Sequence, residues 1–244
     1  MVETRTAMGG SIDQLTRHDA ARLLSWWLDA GVDTAISEEP RQWLKAASPA
    51  PRTEVATEIA TASPNELPSD FNAFRAYLES ATGLPLDRAG ARRVLPHGVA
   101  GAKIMLLSGL PEREDASDGR PIGGEAWSLM TRMLAAIGLT PDEAYCASLA
   151  CFHLPGGRLE EAERERCGAI ARRHVELVKP GLLLLLGDAP CRTLLGEDLR
   201  RARGRVHKIE GVRAVATFHP RWLLQRPADK ALAWRDLLLL TEES

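Results

Sequence analysis

Residues 182–196 read LLLLLGDAPCRTLLG, and this stretch decides the fold class. The five leucines Leu182–Leu186 are too few to cross a membrane and are typical of a strand that is buried on both faces. Residues 190–195, shortly after Gly187, have the pattern of a short helix. A buried strand that leads directly into a helix predicts an α/β sheet with helices on its faces.

Other segments extend this pattern on both sides. Residues 103–107, 145–151 and 212–217 are further apolar strand candidates, and they alternate with helical patterns at 127–137, at 159–178 and after Pro227. The alternation predicts a three-layer α/β/α sandwich around a central, mostly parallel four-stranded sheet. Ligands of such sheets bind beyond the carboxyl ends of the strands. The Gly/Asp/Glu-rich loop at 108–124 and the segments after residues 151, 186 and 217 are therefore the candidate functional loops.

The N-terminal part differs in character. Ser11 and Gln14 form a capping box that opens a predicted helix ending near Gly31, so we assign residues 1–45 to an N-terminal helical segment. Residues 46–68 are rich in Ala, Ser, Pro, Thr and Glu without an apolar period, which predicts a flexible linker. The α/β domain is predicted over residues 69–244.

Charge and composition exclude several classes of protein. The 244 residues contain 31 Lys and Arg against 33 Asp and Glu, so the net charge of −2 gives no general attraction to nucleic acid. DNA contact would require a local basic patch, for which residues 199–226 are the candidate, with one acidic residue, Glu210. A solvated charged surface is the alternative. The eight basic residues of this segment are Arg200, Arg201, Arg203, Arg205, Lys208, Arg213, Arg221 and Arg226.

The sequence predicts a cytoplasmic protein. No apolar run approaches the roughly 18 residues of a membrane span, and the first residues, MVETRTAMGG, lack the apolar core of a signal peptide. The four cysteines do not form a CxxC pair, so we expect reduced structural thiols and no metal site. They are Cys146, Cys151, Cys167 and Cys191.

The loop after the last predicted strand, TFHPRWLLQRPADK at 217–230, has the strongest functional signal. His219 directly follows a buried strand, where an imidazole can face a ligand. Basic residues beside aromatic and aliphatic side chains suit nucleic acid. In the alternative interpretation, His219 is structural and the leucines are buried where the last helix begins. The candidate DNA-binding residues are Pro220, Arg221, Trp222, Leu223 and Arg226.

This loop resembles the histidine loop of the uracil-DNA glycosylase superfamily, in particular bacterial family 4, which reads T-x-H-P-x-x-L-L-R followed by P-x-x-K and a Trp-Asp pair. The resemblance spans about residues 83–240. Further matches are residues 182–196, Arg203-Gly204, Arg158, Cys167 and Gly119-Arg-Pro121. The resemblance implies an enzyme of DNA repair that flips uracil or another deaminated base out of the helix and hydrolyses its N-glycosidic bond. It also implies that His219 is catalytic.

The chain departs from the family at the predicted base pocket, which comprises Gly109, Pro111, Ile122 and Ser148. The family's catalytic glutamate falls on Gly109, its stacking phenylalanine on Ile122, and its uracil-reading asparagine on Ser148. Whether the protein is an enzyme therefore stays open at this stage. Candidate replacement acids are Glu112, Glu114 and Asp115.

The iron–sulfur cluster of some family members is not expected. Leu84 and Phe152 stand at two cluster positions, Cys151 is one place off, and only Cys167 matches. We therefore expect no cofactor. We expect the protein to bind DNA, to be a monomer and to make no contact with a membrane. The alternatives to an active glycosylase are a catalytically degenerate superfamily member that binds DNA without excising a base, and a small-ligand binder.

Overall fold

The structure is a computed structural model that describes residues 67–241. The predicted helical segment 1–45 and all but the last two residues of the predicted linker lie outside the described residues. A five-stranded sheet has the order β3-β2-β5-β7-β6, and β1 pairs with β4 in a separate two-stranded ribbon. The strands are β1 (Arg92–Arg93), β2 (Ile104–Ser108), β3 (Ala144–Ser148), β4 (Phe152–His153), β5 (Leu182–Leu186), β6 (Val206–Ile209) and β7 (Val212–Thr217).

Eight α-helices surround this sheet within residues 67–241. They are α1 (Phe71–Ser80), α2 (Arg113–Asp118), α3 (Gly124–Ala136), α4 (Glu161–Val178), α5 (Asp188–Leu195), α6 (Leu199–Ala202), α7 (Pro220–Gln225) and α8 (Lys230–Thr241). The first candidate loop, 108–124, contains the helix α2, which the sequence analysis missed. No helix of residues 67–241 is long and apolar enough to cross a bilayer.

The mostly parallel sheet and the α/β/α layers are confirmed, but the strand number is five rather than four. Strands β2, β3, β5 and β7 are parallel, as predicted, and β6 is an added antiparallel strand beside β7. It lies in the basic segment and has no apolar run. Glu210 and Gly211 join β6 to β7 with positive φ values of 46° and 82°, as a two-residue hairpin turn requires.

Each inner strand contributes to two apolar layers because successive side chains point to opposite faces. Ile104 and Leu106 of β2 pack under α3 and α8, whereas Met105 and Leu107 pack under α1, α4 and α5. The Leu182–Leu186 run behaves in the same way, with Leu183 and Leu185 on the α4 face. This two-sided burial explains why the strands are unbroken apolar runs.

One polar pair lies inside the α1–α4 layer. The Tyr145 hydroxyl lies 2.7 Å from Nε2 of His174, and both residues are buried. Burial, with a smaller contribution from Arg75, lowers the pKa of His174 to about 3. Burial also raises the pKa of Tyr145. Both rings are therefore neutral at pH 7 and share one hydrogen bond.

The outer edge of β3 is partly covered. His97 and Cys146 exchange backbone hydrogen bonds of 2.9 and 2.7 Å, so the chain before β2 runs along this strand. The parallel order places the carboxyl ends of β2, β3, β5 and β7 at one edge of the sheet. The candidate loops predicted from the sequence begin at this edge.

Candidate active site at the carboxyl edge of the sheet

His219 follows β7 and caps the N-terminus of α7. Its Nδ1 accepts the backbone N–H of Arg221 at 3.2 Å, so the proton of the neutral ring lies on Nε2. Burial lowers the pKa of His219 to about 4; Arg221 adds to the decrease and Asp115 opposes it. The ring is therefore neutral at pH 7 and has an Nε2–H group free to donate. The residue is half-buried rather than part of the core.

The turn from β5 into α5 lies against the histidine loop. Gly187 has a φ of +91°, and its backbone N–H donates to the Thr217 carbonyl at 2.9 Å. A Cβ built on Gly187 would lie 3.6 Å from the Cβ of His219. The close approach of these two loops places the His219 backbone beside the start of α5.

Gly109 follows β2 and connects to the neighbouring loops. Its carbonyl accepts the N–H of Leu149 at 3.1 Å, just beyond β3. A Cβ built on Gly109 would lie 3.3 Å from the Cβ of Ala189 in α5, a tight contact. A side chain at position 109 therefore requires Ala189 to yield by a few tenths of an ångström.

Ser148 and Ile122, the other departures from the family pattern, are packed. The Ser148 hydroxyl donates to the Ala150 carbonyl at 2.8 Å, and the residue is buried. Ile122 is 1% exposed and belongs to the apolar layer under α3. Neither side chain has the hydrogen-bonding amide or the stacking ring that the family places at these positions.

A cleft of about 530 Å³ opens beside Pro111, the remaining residue of the predicted base pocket. His153 of β4 lies at this cleft, and its Nδ1 is 2.9 Å from the Pro111 carbonyl, which can only accept. Nδ1 of His153 is therefore the donor in this hydrogen bond. The sequence analysis missed His153, although it follows a predicted strand just as His219 does. The lining includes Leu86, Leu110, Pro111, Glu112, His153 and Leu154.

The three candidate replacement acids surround Arg221. Its Nη2 pairs with Oδ1 of Asp115, and its Nε lies 3.6 Å from Glu112 Oε2 and 3.8 Å from Glu114 Oε2. The Arg221 side chain is only 14% exposed. Its guanidinium thus faces the carboxylates of α2, and the Asp115 carboxylate is already engaged.

An aromatic and arginine stack occupies the outer side of the histidine loop. The Arg203 guanidinium lies 4.2 Å from the Phe218 ring centroid, and Phe218 stacks on Trp222 with centroids 6.3 Å apart. The Arg226 guanidinium lies 4.6 Å from the Trp222 ring, whose Nε1 donates to Asp229 at 2.7 Å. Trp222 is 40% exposed and Arg226 is also exposed. Trp222 and Arg226 are the members of this stack that face solvent, and together they present a cation beside an aromatic ring.

Of the five candidate DNA-binding residues, only some are exposed to solvent. Trp222 and Arg226 face solvent, whereas Arg221 is paired with Asp115. Pro220 is buried at the first position of α7, and Leu223 is 1% exposed in the layer with α3 and α8. For Leu223, the structure shows the alternative interpretation, burial where the helix begins.

Part of the predicted basic segment is neutralised by acidic residues outside it. Arg203 Nε lies 2.8 Å from Oδ2 of the buried Asp236, which also accepts the Thr217 hydroxyl at 2.8 Å. Arg205 pairs with Glu197 at 2.5 Å. The charge available for DNA is therefore lower than the count of eight basic residues suggests. Exposed basic residues of the segment include Arg200, Arg201, Lys208 and Arg226.

The residues present do not fit an iron–sulfur cluster. Leu84 and Phe152, at two cluster positions, are buried in the apolar layer together with Cys151 and Cys167. Burial raises the pKa of each of these two thiols to about 12, which disfavours the thiolate form that binds metal. Cys146 lies in the opposite layer. Within residues 67–241, no three His, Cys, Asp or Glu side chains are grouped to hold a metal ion.

The fold and this site define an α/β/α protein with a neutral histidine beyond the last parallel strand. The model of the uracil DNA glycosylase superfamily matches residues 95–238, more than half of the chain, and the protein belongs to that superfamily. This match confirms the resemblance found in the sequence motifs.

Curated relatives place the chain near family 4 of this superfamily. It is similar to the type-4 uracil-DNA glycosylase of Archaeoglobus fulgidus, with 28% identity over 137 residues, 52% of this chain and 69% of the relative. The type-4 uracil-DNA glycosylase of Thermotoga maritima is 23% identical over 158 residues, 63% of this chain and 82% of the relative. A DNA polymerase of Bacillus phage SP01 is 23% identical over 142 residues, 57% of this chain and 15% of that protein.

Proposed function

We propose that this protein hydrolyses the N-glycosidic bond of uracil or another deaminated base in DNA after flipping the nucleotide out of the helix. The observation that supports this most directly is the neutral His219 with its proton on Nε2. Cleavage of the bond to C1′ leaves negative charge on the departing base, and a fixed donor at that position stabilises the transition state. A neutral imidazole supplies this donor without having to be protonated first.

Water must add to C1′ as the base departs, and we assign the positioning of this water to Glu112. Of the three candidate acids, Glu112 lines the cleft beside Pro111 and His153. Asp115 is buried and held by backbone N–H groups and Arg221, and Glu114 is not among the residues that line this cleft. The proton released by the water completes the hydrolysis on the excised base. Because the Glu112 side chain is 65% exposed, we expect catalysis to be slower than with an enclosed carboxylate.

DNA contact is assigned to the outer side of the histidine loop. Trp222 and Arg226 are exposed and stacked, an arrangement that suits a base or the sugar–phosphate backbone. Arg200, Arg201 and Lys208 supply further exposed positive charge in the same segment. A monomeric state and a cytoplasmic location stay predictions.

The second candidate function is DNA binding without base excision. The packing of Ile122 and the engaged hydroxyl of Ser148 favour it, because a base pocket needs a stacking surface and free hydrogen-bonding groups. The loss of an amide donor is worth about 10²–10³ in rate. DNA binding by itself does not require these groups.

A strand-scission assay distinguishes the two candidates. The protein, at micromolar concentration over several hours, is incubated with duplex and single-stranded oligonucleotides that contain uracil, hypoxanthine or xanthine, and then with alkali. A thymine oligonucleotide and the variant Glu112→Gln are the controls. Strand scission that is lost in Glu112→Gln supports glycosylase activity. If no strand is cut with any of the deaminated bases, the proposed activity is refuted. Binding that does not weaken between low and moderate salt contradicts both candidates.

A further inference from the structure

The carboxylate of Asp115 joins three separate segments of the chain. Its Oδ2 accepts the N–H of Glu112 at 2.8 Å, and its Oδ1 accepts the N–H of Gly123 at 2.6 Å. Oδ1 also pairs with Arg221 of α7. The Asp115 side chain is 1% exposed. One buried carboxylate therefore holds the start of α2, the start of α3 and the histidine loop together.

Arg221 connects the same cluster to the imidazole of His219. Its backbone N–H donates to His219 Nδ1, and its guanidinium pairs with Asp115. The Nε of Arg221 faces Glu112 and Glu114 at 3.6 and 3.8 Å. Because three carboxylates lie around this guanidinium, a DNA phosphate that approached it would have to displace them.

We propose that Asp115 and Arg221 are a positioning pair that fastens the histidine loop to the first loop and thereby fixes the imidazole of His219. Arg221 then acts through His219 and does not bind a DNA phosphate. The expected effect on excision rests on the proposed function, whereas the effect on the His219 ring does not. The pair joins positions 106 residues apart in the chain.

Electrostatics give this pair a measurable signature. Burial is the main cause of the lowered pKa of His219, Arg221 lowers it further, and Asp115 raises it. The other charged groups of this cluster, Glu112 and Glu114, lie beside Nε of Arg221. Replacing Arg221 by glutamine removes a positive charge and also the pairing with Asp115, because glutamine is too short to reproduce the contact that Nη2 makes. The His219 pKa is then expected to rise.

The experiment compares Arg221→Gln with Arg226→Gln, the matched change at an exposed arginine in the same loop. The His219 imidazole is titrated by NMR, and binding to a uracil-containing duplex is measured as a function of salt. For Arg221→Gln we expect a raised His219 pKa and an unchanged salt slope. We also expect single-turnover excision to fall by about 10²-fold, the effect of a displacement of about 1 Å. Arg226→Gln leaves the His219 pKa unchanged and lowers the salt slope by about 0.9.

The reverse pattern overturns the proposal: Arg221→Gln lowers the salt slope by about 0.9 and leaves the His219 pKa unchanged. If the unsubstituted protein neither binds nor cleaves DNA, the proposed function fails, and the titration still decides the positioning role. If Arg221→Gln does not fold, Arg221→Lys keeps the charge but not the planar fork. Exchange of the backbone amides at positions 221 and 123 of this variant should then rise at least tenfold, and unchanged exchange contradicts the proposal.

Discussion

Replacing His219 separates two roles of its ring, the capping of α7 by Nδ1 and the donation of a hydrogen bond from Nε2. His219→Ala removes both, whereas His219→Asn keeps an acceptor for the Arg221 N–H, because asparagine is among the best N-cap residues. We therefore expect His219→Ala to lower the free energy of unfolding by about 1 kcal/mol, with a smaller loss for His219→Asn. At pH 7.5 the titration of the ring contributes little to this difference.

Both variants should lose excision to a similar extent. Loss of a fixed donor costs about 10²–10³ in rate, which corresponds to roughly 3–4 kcal/mol of transition-state stabilisation. Single-turnover excision from a labelled uracil oligonucleotide measures the rate, and urea unfolding followed by circular dichroism measures stability. A His219→Asn variant that excises within threefold of the unsubstituted rate refutes the role of Nε2. Equal stability of the two variants refutes the capping role.

Three further predictions concern other parts of the molecule. His174 has a pKa of about 3 in the folded protein and about 6.5 in the unfolded chain. As the pH falls below 6.5, only the unfolded chain takes up the proton, so the stability that His174 contributes at higher pH is lost. The free energy of unfolding, measured in urea, should fall by about 2–3 kcal/mol between pH 7 and pH 4.5. The His174→Gln variant should show a smaller fall, and an equal fall in the variant contradicts the role of His174. Gly109→Glu should raise uracil excision. Adding Ala189→Gly should raise it further, because this change removes the methyl group 3.3 Å from a Cβ at position 109. If the double variant shows no gain, the pocket does not accept uracil. Glu112→Gln should lower the single-turnover rate by about 10²-fold or more without changing DNA affinity, and an unchanged rate excludes Glu112 as the water-positioning residue.

The sequence predicts the sheet well where burial alone determines it. The four parallel strands are buried on both faces, and each appears as an apolar run such as Leu182–Leu186. Strand β6 is an edge strand in which the exposed Val206 and Lys208 alternate with the half-buried His207 and the buried Ile209, so it has no such run. Its signal was the Glu210-Gly211 pair, which turns the chain back into β7.

Helix α2 was hidden for a similar reason. It is six residues long and highly charged, and it has no apolar period. Its ends were nonetheless visible, because Asp115 is three residues after Glu112 and Gly119 ends the helix with a φ of +66°. A short polar helix is indistinguishable from a loop when composition alone is considered.

The candidate site shows which functional features need tertiary structure. His219 was predictable because it directly follows a buried strand. The direction of the Arg221 side chain was not, since its partner Asp115 is far away in the chain. The burial of Leu223 likewise depends on α3 and α8, which pack over it.

The two outer strands of the sheet affect how the protein behaves at high concentration. Unpaired backbone groups of an edge strand can template pairing with another chain, and charged side chains oppose this. His97 covers Cys146 on the β3 edge, while β6 presents Lys208 to solvent beside the exposed Val206. We therefore expect Lys208 to oppose edge-to-edge pairing of β6, a role for positive charge in this segment that is separate from DNA contact.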